Sequence, residues 1–217
     1  ASQSSYATAS ITPSANKLVL LAVGRRGTGV ISAVSGNGLT WVQIADQFDG
    51  DGSGGNGVVL FRAMGASPTA GAITITFASA QSRAGWSVVE FGNVDTSGTN
   101  GSGAIVQYTT SSKTGDTSIT ATLGAFASID NATYGASVDR GVPPPDTAPG
   151  TGFTQLHLVY TGTAWDRVNT LTEWRADNDT TVDATFAWNP SAIIAVEIKF
   201  ATAVAQIRLR TLLGVGI

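Results

Sequence analysis

The stretch NKLVLLAVGR (residues 16–25) is echoed at unchanged length by NATYGASVDR (residues 131–140). Shorter matches occur in the same order along the chain, and the offsets of all the matches run from 107 to 115 residues. Loop insertions and deletions produce a drift of this size, so the matches predict an internal duplication of a β scaffold. The shorter matches are Ser10-Ile11-Thr12 with Ser118-Ile119-Thr120, Trp41-Val42-Gln43-Ile44 with Phe153-Thr154-Gln155-Leu156, Phe61-Arg62-Ala63 with Trp174-Arg175-Ala176, Thr76-Phe77-Ala78 with Thr185-Phe186-Ala187, and Val89-Glu90-Phe91 with Val196-Glu197-Ile198.

The composition is that of a globular β-rich protein with few charges. Of the 217 residues 12% are charged and 26 are glycine, and the mean hydropathy is +0.14. This profile is too apolar for a disordered chain. The net charge of -3 provides no surplus of Lys and Arg for binding phosphates, so we expect no nucleic-acid partner.

The sequence contains no cysteine and one histidine, His157. The absence of cysteine excludes disulfides and thiolate metal sites. One histidine is too little for a histidine metal centre, and no Gly-x-Ser-x-Gly motif accompanies it, so we interpret His157 as an ordinary strand residue. The apolar stretches, such as residues 18–23, are far too short to span a bilayer. The sequence therefore predicts a soluble protein with no cofactor and no membrane partner.

Alternation of apolar and polar residues dominates the chain, and Gly, Asn, Asp and Pro separate the runs. This pattern predicts an all-β protein, and the short connections predict antiparallel pairing. Residues 140–152 contain four prolines and are predicted to form a surface loop. Strands are predicted at residues 6–12, 17–24, 29–35, 39–48, 57–63, 71–77, 85–94, 105–110, 118–123, 132–138, 154–160, 170–176, 181–188 and 192–200.

Two architectures fit a duplicated β scaffold. One consists of two tandem six-strand sandwiches, and the other is a jelly-roll-like sandwich to which each half contributes strands of both sheets. The closing strands near residues 86–91 and 193–198 are apolar on both faces, which is typical of central strands in a large sandwich. We therefore predict one antiparallel, jelly-roll-like β-sandwich domain over residues 1–200. It is built from repeats at about 5–94 and 104–200, and residues 201–217 form a C-terminal extension.

Glu90 and Glu197 occupy matching places in the two halves, and the sequence has only one other glutamate. A pair of carboxylates projecting from strands can act as acid and nucleophile in a glycosidase. A structural role kept in both copies explains the same placement, for example as acceptors of hydrogen bonds from a neighbouring loop. We favour the structural role and expect a protein that is not an enzyme, because a fold resemblance alone does not supply a reaction.

Asp49 and Asp51 open a segment, DGDGSG, that resembles the start of a calcium-binding loop. The match ends there, because Leu60 stands at the twelfth position, where a bidentate glutamate is required. A solvated hairpin tip is the interpretation we prefer, and we predict no metal site.

Tryptophan faces on β-sandwiches are a recurrent platform for stacking sugars. Trp41, Trp86 and Trp174 align with apolar residues of the other half and are predicted to be core. Trp165 has no aromatic counterpart and lies in a predicted loop, which makes it the candidate ligand-binding residue. Packing beneath that loop is the alternative.

The last seventeen residues lie outside the matched segments. Leu209 alternates with Arg208 and Arg210, as in an amphipathic strand, and the end of the chain is apolar. Leaving such side chains in water is unfavourable by roughly 1.5–3 kcal/mol each. The segment is expected either to add a strand to its own sheet or to reach a neighbouring subunit. The predicted partner-binding residues are Ile207, Leu209, Leu212, Leu213, Val215 and Ile217.

Three stretches carry a family resemblance: WRADNDTT at 174–181, AVEI at 195–198 and GLTW at 38–41. Together they resemble repeated β-sandwich proteins that are encoded in bacteriophage structural gene clusters and in bacterial surface proteins. The likeness spans most of residues 5–200, and its motifs are scaffold motifs that identify no site.

The resemblance implies a component of a virion or of a cell surface, such as a capsid decoration protein or a fibre or tail module. No coiled-coil or collagen-like stalk is present, which favours a capsid decoration or minor head protein that binds other virion proteins and copies of itself. The alternatives are a carbohydrate-binding module that uses Trp165, with an extracellular or cell-surface location, and a glycosidase that uses Glu90 and Glu197.

Overall fold

A computed structural model describes residues 2–141, 147–163, 166–187 and 190–201, together with the backbone of residues 208–211. Sixteen strands and two short 3-10 turns form in these ranges, and no α-helix does. The first eight strands are β1 (Gln3–Ala7), β2 (Leu18–Arg26), β3 (Ile31–Ser35), β4 (Val42–Phe48), β5 (Asn56–Ala63), β6 (Thr74–Gln81), β7 (Ala84–Gly92) and β8 (Ile105–Lys113).

The other eight strands lie after residue 117. They are β9 (Ser118–Thr122), β10 (Ala132–Asp139), β11 (Ala148–Pro149), β12 (Thr154–Thr163), β13 (Asp166–Arg175), β14 (Thr181–Thr185), β15 (Ser191–Ile198) and β16 (Arg208–Thr211). The prediction of an all-β antiparallel sandwich is confirmed. One short strand, β11, lies within the segment that we predicted as a loop.

The strands form two five-stranded and two three-stranded antiparallel sheets. The five-stranded sheets have the orders β16-β7-β2-β5-β4 and β8-β15-β10-β13-β12, and the three-stranded sheets have the orders β1-β6-β3 and β9-β14-β11. Each strand of the first half thus corresponds to the strand eight places later. This topology is what a duplication would produce, and the duplication itself stays a prediction.

Three hydrophobic cores show that the sheets stack in four layers. The central core lies between the two five-stranded sheets and includes Leu18, Leu20, Phe91, Tyr134, Ile194 and Val196. One outer core, with Val19, Trp86, Ile75 and Phe77, joins the first half's two sheets, and the other, with Ile119, Leu171, Phe186 and Ile193, joins the second half's. Each pair of sheets therefore takes seven of its eight strands from one half of the chain, and the two pairs pack face to face through the central core.

The two halves are connected by a reciprocal exchange of their last strands. β8 follows β7 in the chain but pairs with β15, whereas β16 follows β15 but pairs with β7. Because β16 occupies the place that β8 occupies in the other sheet, the topology accounts for part of the extension that the sequence matches left unexplained.

Candidate functional site

Glu197 is fully buried and binds three groups of the surrounding scaffold. It accepts hydrogen bonds from Gln107 Nε2 (2.6 Å), from the backbone N–H of Ala127 (3.2 Å) and from Asn131 Nδ2 (2.5 Å). A carboxylate can accept several such bonds, and burying it without them would be strongly unfavourable. Glu197 thus fastens the loop before β10 and the strand β8 to the second half's sheet.

Glu90 is also buried, and it accepts a hydrogen bond from the backbone N–H of Ser14 (2.6 Å). Its neighbours Val89 and Phe91 face the central core, so Glu90 points away from that core, and Glu197 does the same on the other sheet. Packed sheets are about 10 Å apart, and glycosidase carboxylates must lie within roughly 5–9.5 Å of each other. The geometry is therefore wrong for the glycosidase pair of Glu90 and Glu197.

Asp49 and Asp51 interact with groups of the turn between β4 and β5 and with the second half of the chain. Asp49 accepts hydrogen bonds from the backbone N–H groups of Asp51 (3.0 Å) and Asn56 (2.5 Å), and burial raises its pKa. Asp51 forms an ion pair with Arg140 of the second half (2.9 Å). Among the described residues no cluster of three potential metal ligands is found.

His157 lies on β12 and contacts a strand of the opposite five-stranded sheet. Its Nδ1 is 2.7 Å from Ser87 Oγ, which in turn lies 2.9 Å from Thr172 Oγ1. Burial lowers the pKa of His157, so the ring is neutral at pH 7. Ser87 is fully buried and cannot meet a substrate, so this pair joins the two sheets. The sequence contained no signal for Ser87, because the contact spans 70 residues.

A groove of about 380 Å³ opens where the end of β12 approaches β1 and β7. Arg83 projects into this region and forms an ion pair with Asp166 (3.2 Å). Trp165 itself lies outside the described residues, although Thr163 and Asp166 on either side of it are described. The groove is lined by Gln3, Tyr6, Ser82, Arg83, Ala84, Thr161, Gly162 and Thr163.

The C-terminal strand β16 covers the outer edge of β7, which we call the β7 edge and define as Val89 to Gly92. The backbone pairing is antiparallel and places Leu209 opposite Phe91 and Arg210 opposite Glu90. For residues 208–211 this is strand addition to the chain's own sheet, one of the two expected outcomes. The other predicted partner-binding residues lie outside the described residues: Ile207, Leu212, Leu213, Val215 and Ile217.

No protein-family model, no curated protein and no solved structure was found to match this chain. Within the described residues, no helix has the length and apolarity needed to cross a membrane.

Proposed function

We propose that this chain is a non-enzymatic structural protein of a bacteriophage virion, a capsid decoration or minor head protein that binds neighbouring subunits. The resemblance of residues 5–200 to repeated β-sandwich proteins supplies the class. The observation that supports the role is that the β7 edge accepts an added strand, which brings the end of the chain, with the apolar residues 212–217 next in sequence, to the edge of a sheet. Strand addition of this kind gives affinity through backbone hydrogen bonds and needs no catalytic group.

The polar groups support the same conclusion. Glu197, Glu90, Asp49 and Asp51 are used by backbone N–H groups and side chains of the scaffold. An apolar C-terminal segment beyond β16 is then the natural contact with a neighbouring virion protein, since burial of its large side chains is favourable. Such a protein is located in the virion and occurs in many copies.

A truncation series tests this proposal. A chain ending at Thr211 keeps β16 and is expected to fold like the full chain but to lose at least about tenfold in affinity for heads, because it lacks the apolar anchors. A chain ending at Ala201 is expected to lose the same affinity and, in addition, stability, because the β7 edge is uncovered. Co-sedimentation with heads assembled from the coat protein encoded nearest to its gene measures binding, and urea denaturation measures stability.

The series has its own control, since the two truncations differ only in residues 202–211. Full binding by the chain that ends at Thr211 would contradict the role assigned to Leu212, Leu213, Val215 and Ile217. Failure of the full chain to sediment with heads would contradict the decoration role as a whole.

The groove lined by Arg83 favours a second candidate function, a carbohydrate-binding module. Its lining includes hydroxyl, amide and guanidinium groups, which suit a polyhydroxylated ligand, and one lining residue, Thr163, stands two positions before Trp165 in the sequence. This function predicts that Arg83→Ala and Trp165→Ala each abolish binding to a glycan array. Lys113→Ala, which removes a half-buried cation on β8 outside the groove, leaves binding unchanged. Absence of any glycan signal from the unmodified chain would remove this candidate.

A further inference from the structure

We infer that β16 exchanges between molecules, so that the C-terminal strand of one copy pairs with the β7 edge of a second copy of this chain. The first observation is that the last strand of each half already completes a sheet of the other half. β8 does so through the connection after β7, and β16 does so through the connection after β15. In the second case the sheet that β16 completes lies earlier in the chain, and every other copy of the chain carries the same β7 edge.

The two crossing connections start side by side. Val94 and Phe200 form an antiparallel bridge, and Ala201 donates its backbone N–H to Asn93 O (2.9 Å). Lys199 strengthens the crossing through an ion pair with Asp95 (2.6 Å). A strand that leaves this point can therefore turn to its own β7 edge, or extend to the same edge of a neighbouring copy. Both paths of the C-terminal segment start at Ala201, which is held by its hydrogen bond to Asn93.

Releasing β16 from the β7 edge of its own chain costs little free energy, because the same pairing forms again in the second copy. Among the described residues, four residues of β16 pair with β7, and eight pairs join β8 to β15, the corresponding contact within the chain. Swapping of identical elements recreates the same backbone contacts in the partner, which makes it a low-cost route to oligomers. The vacated β7 edge would otherwise present unpaired N–H and C=O groups, and a strand from a second copy satisfies them.

Charge and sequence favour a copy of this chain as the occupant. The segment after Ala201 contains two arginines and no acidic residue, while the whole chain has a net charge of -3. A second copy therefore offers a basic strand to an acidic body, in a register that places Arg210 opposite Glu90. This inference rests on the proposed assembly role for its setting, but it concerns copies of one chain and is tested without any virion component.

The chain has no cysteine, so an engineered pair reports the exchange cleanly. Gly92 and Arg208 lie directly opposite each other across the β7–β16 pair, and a Cβ at Gly92 meets only the flexible end of Lys17. Variants Gly92→Cys and Arg208→Cys are mixed, refolded together and oxidised. We expect an interchain disulfide at twice 22.1 kDa, at least about tenfold above the control because strand pairing raises the effective concentration of the two thiols.

The matched control mixes Arg208→Cys with Ile129→Cys, whose site is 78% exposed and lies outside every strand. The double variant Gly92→Cys/Arg208→Cys shows that the pair can form, since it closes within one chain at high dilution. Closure in the double variant, without an interchain band above the control in the mixture, would overturn the inference. Head binding by the full chain in that case would leave the decoration role intact.

Discussion

Gly24→Ala is expected to destabilise the protein by about 3 kcal/mol or more, the upper end of what overpacking a core costs. Gly24 lies on β2, the middle strand of its sheet, and points into the central core. A Cβ there would overlap Thr170 Oγ1 and would lie 2.9 Å from a methyl group of Val138 and of Val168. All three neighbours belong to the opposite five-stranded sheet, so the added methyl group would push the sheets apart. Urea denaturation measures the loss.

Thr170→Ala provides the compensating change. Thr170 Oγ1 has no hydrogen-bond partner among the described residues, so removing it breaks no hydrogen bond and makes room for the methyl group. We expect the double variant Gly24→Ala/Thr170→Ala to recover most of the loss, which a double-mutant cycle detects. Gly54→Ala is the control, since its Cβ comes no closer than 3.7 Å to another side chain. A stability of Gly24→Ala within about 0.5 kcal/mol of the parent would contradict the close approach of the sheets.

The sequence pattern predicted the all-β fold and most strands, because alternation and turn residues are local signals. The match of Trp41-Val42-Gln43-Ile44 with Phe153-Thr154-Gln155-Leu156 also locates equivalent edge strands. Both edge strands carry a β-bulge at the same matched position, between Gln43 and Ala45 and between Gln155 and His157. Bulges are kept within families as designed features, so this agreement favours the predicted duplication.

The sequence did not predict the correct register between the equivalent strands β2 and β10. The ungapped match of residues 16–25 with 131–140 equates Val19 with Tyr134, yet Val19 packs in an outer core and Tyr134 in the central core. The pairing across the sheet equates Val19 with Thr133 instead, since these two residues lie opposite Glu90 and Glu197. β2 and β10 are buried on both faces, so no alternation marks the side, and a slip of one residue reverses every side chain.

The partners of buried polar groups were also unpredictable from local sequence. The groups that bind Glu197 stand 66 to 90 residues away from it in the chain. The same holds for the exchange of β8 and β16, since pairing between distant strands leaves no periodic signal. The sequence indicated a structural role for Glu90 and Glu197, but only the layer order shows that the two carboxylates face opposite sides of the central core.

Glu173→Gln is expected to abolish a loss of stability that the parent protein shows as the pH rises from 6.5 to 8.5. Glu173 lies on β13 and is 1% exposed. Burial, with a smaller contribution from nearby Asp183, raises its pKa to about 8, although the backbone N–H of Gly150 donates to its Oε2 (2.9 Å). Its Oε1 has no hydrogen-bond partner among the described residues, which suits a protonated carboxyl group better than a charged one.

The sign follows from proton binding in the two states. Between its ordinary pKa of 4.5 and about 8, the folded protein keeps the Glu173 proton that the unfolded chain has released. The stabilisation is therefore complete below pH 4.5 and is lost as the pH rises towards 8, with a total of roughly 3–5 kcal/mol at about 1.4 kcal/mol per pKa unit. Glutamine cannot ionise and keeps an acceptor for Gly150, so the free energy of unfolding of the variant should not fall across this range.

Asp139→Asn separates this effect from other buried carboxyl groups. Burial raises the pKa of Asp139 to about 6, so its contribution changes between pH 3.8 and about 6, below the measured range. That variant loses stability at every pH, because the side chain accepts bonds from Thr147 and Asn169, yet it should retain the parent's slope above pH 6.5. His157 acts in the opposite direction: because burial lowers its pKa, the unfolded chain holds more of this proton near pH 6.5, and stability rises slightly with pH until about pH 7.5 in the parent and in both variants. Urea denaturation at pH 6.5, 7.5 and 8.5 measures the free energy of unfolding of each variant. If this free energy falls with pH in Glu173→Gln as steeply as in the parent, Glu173 is already ionised in the folded protein.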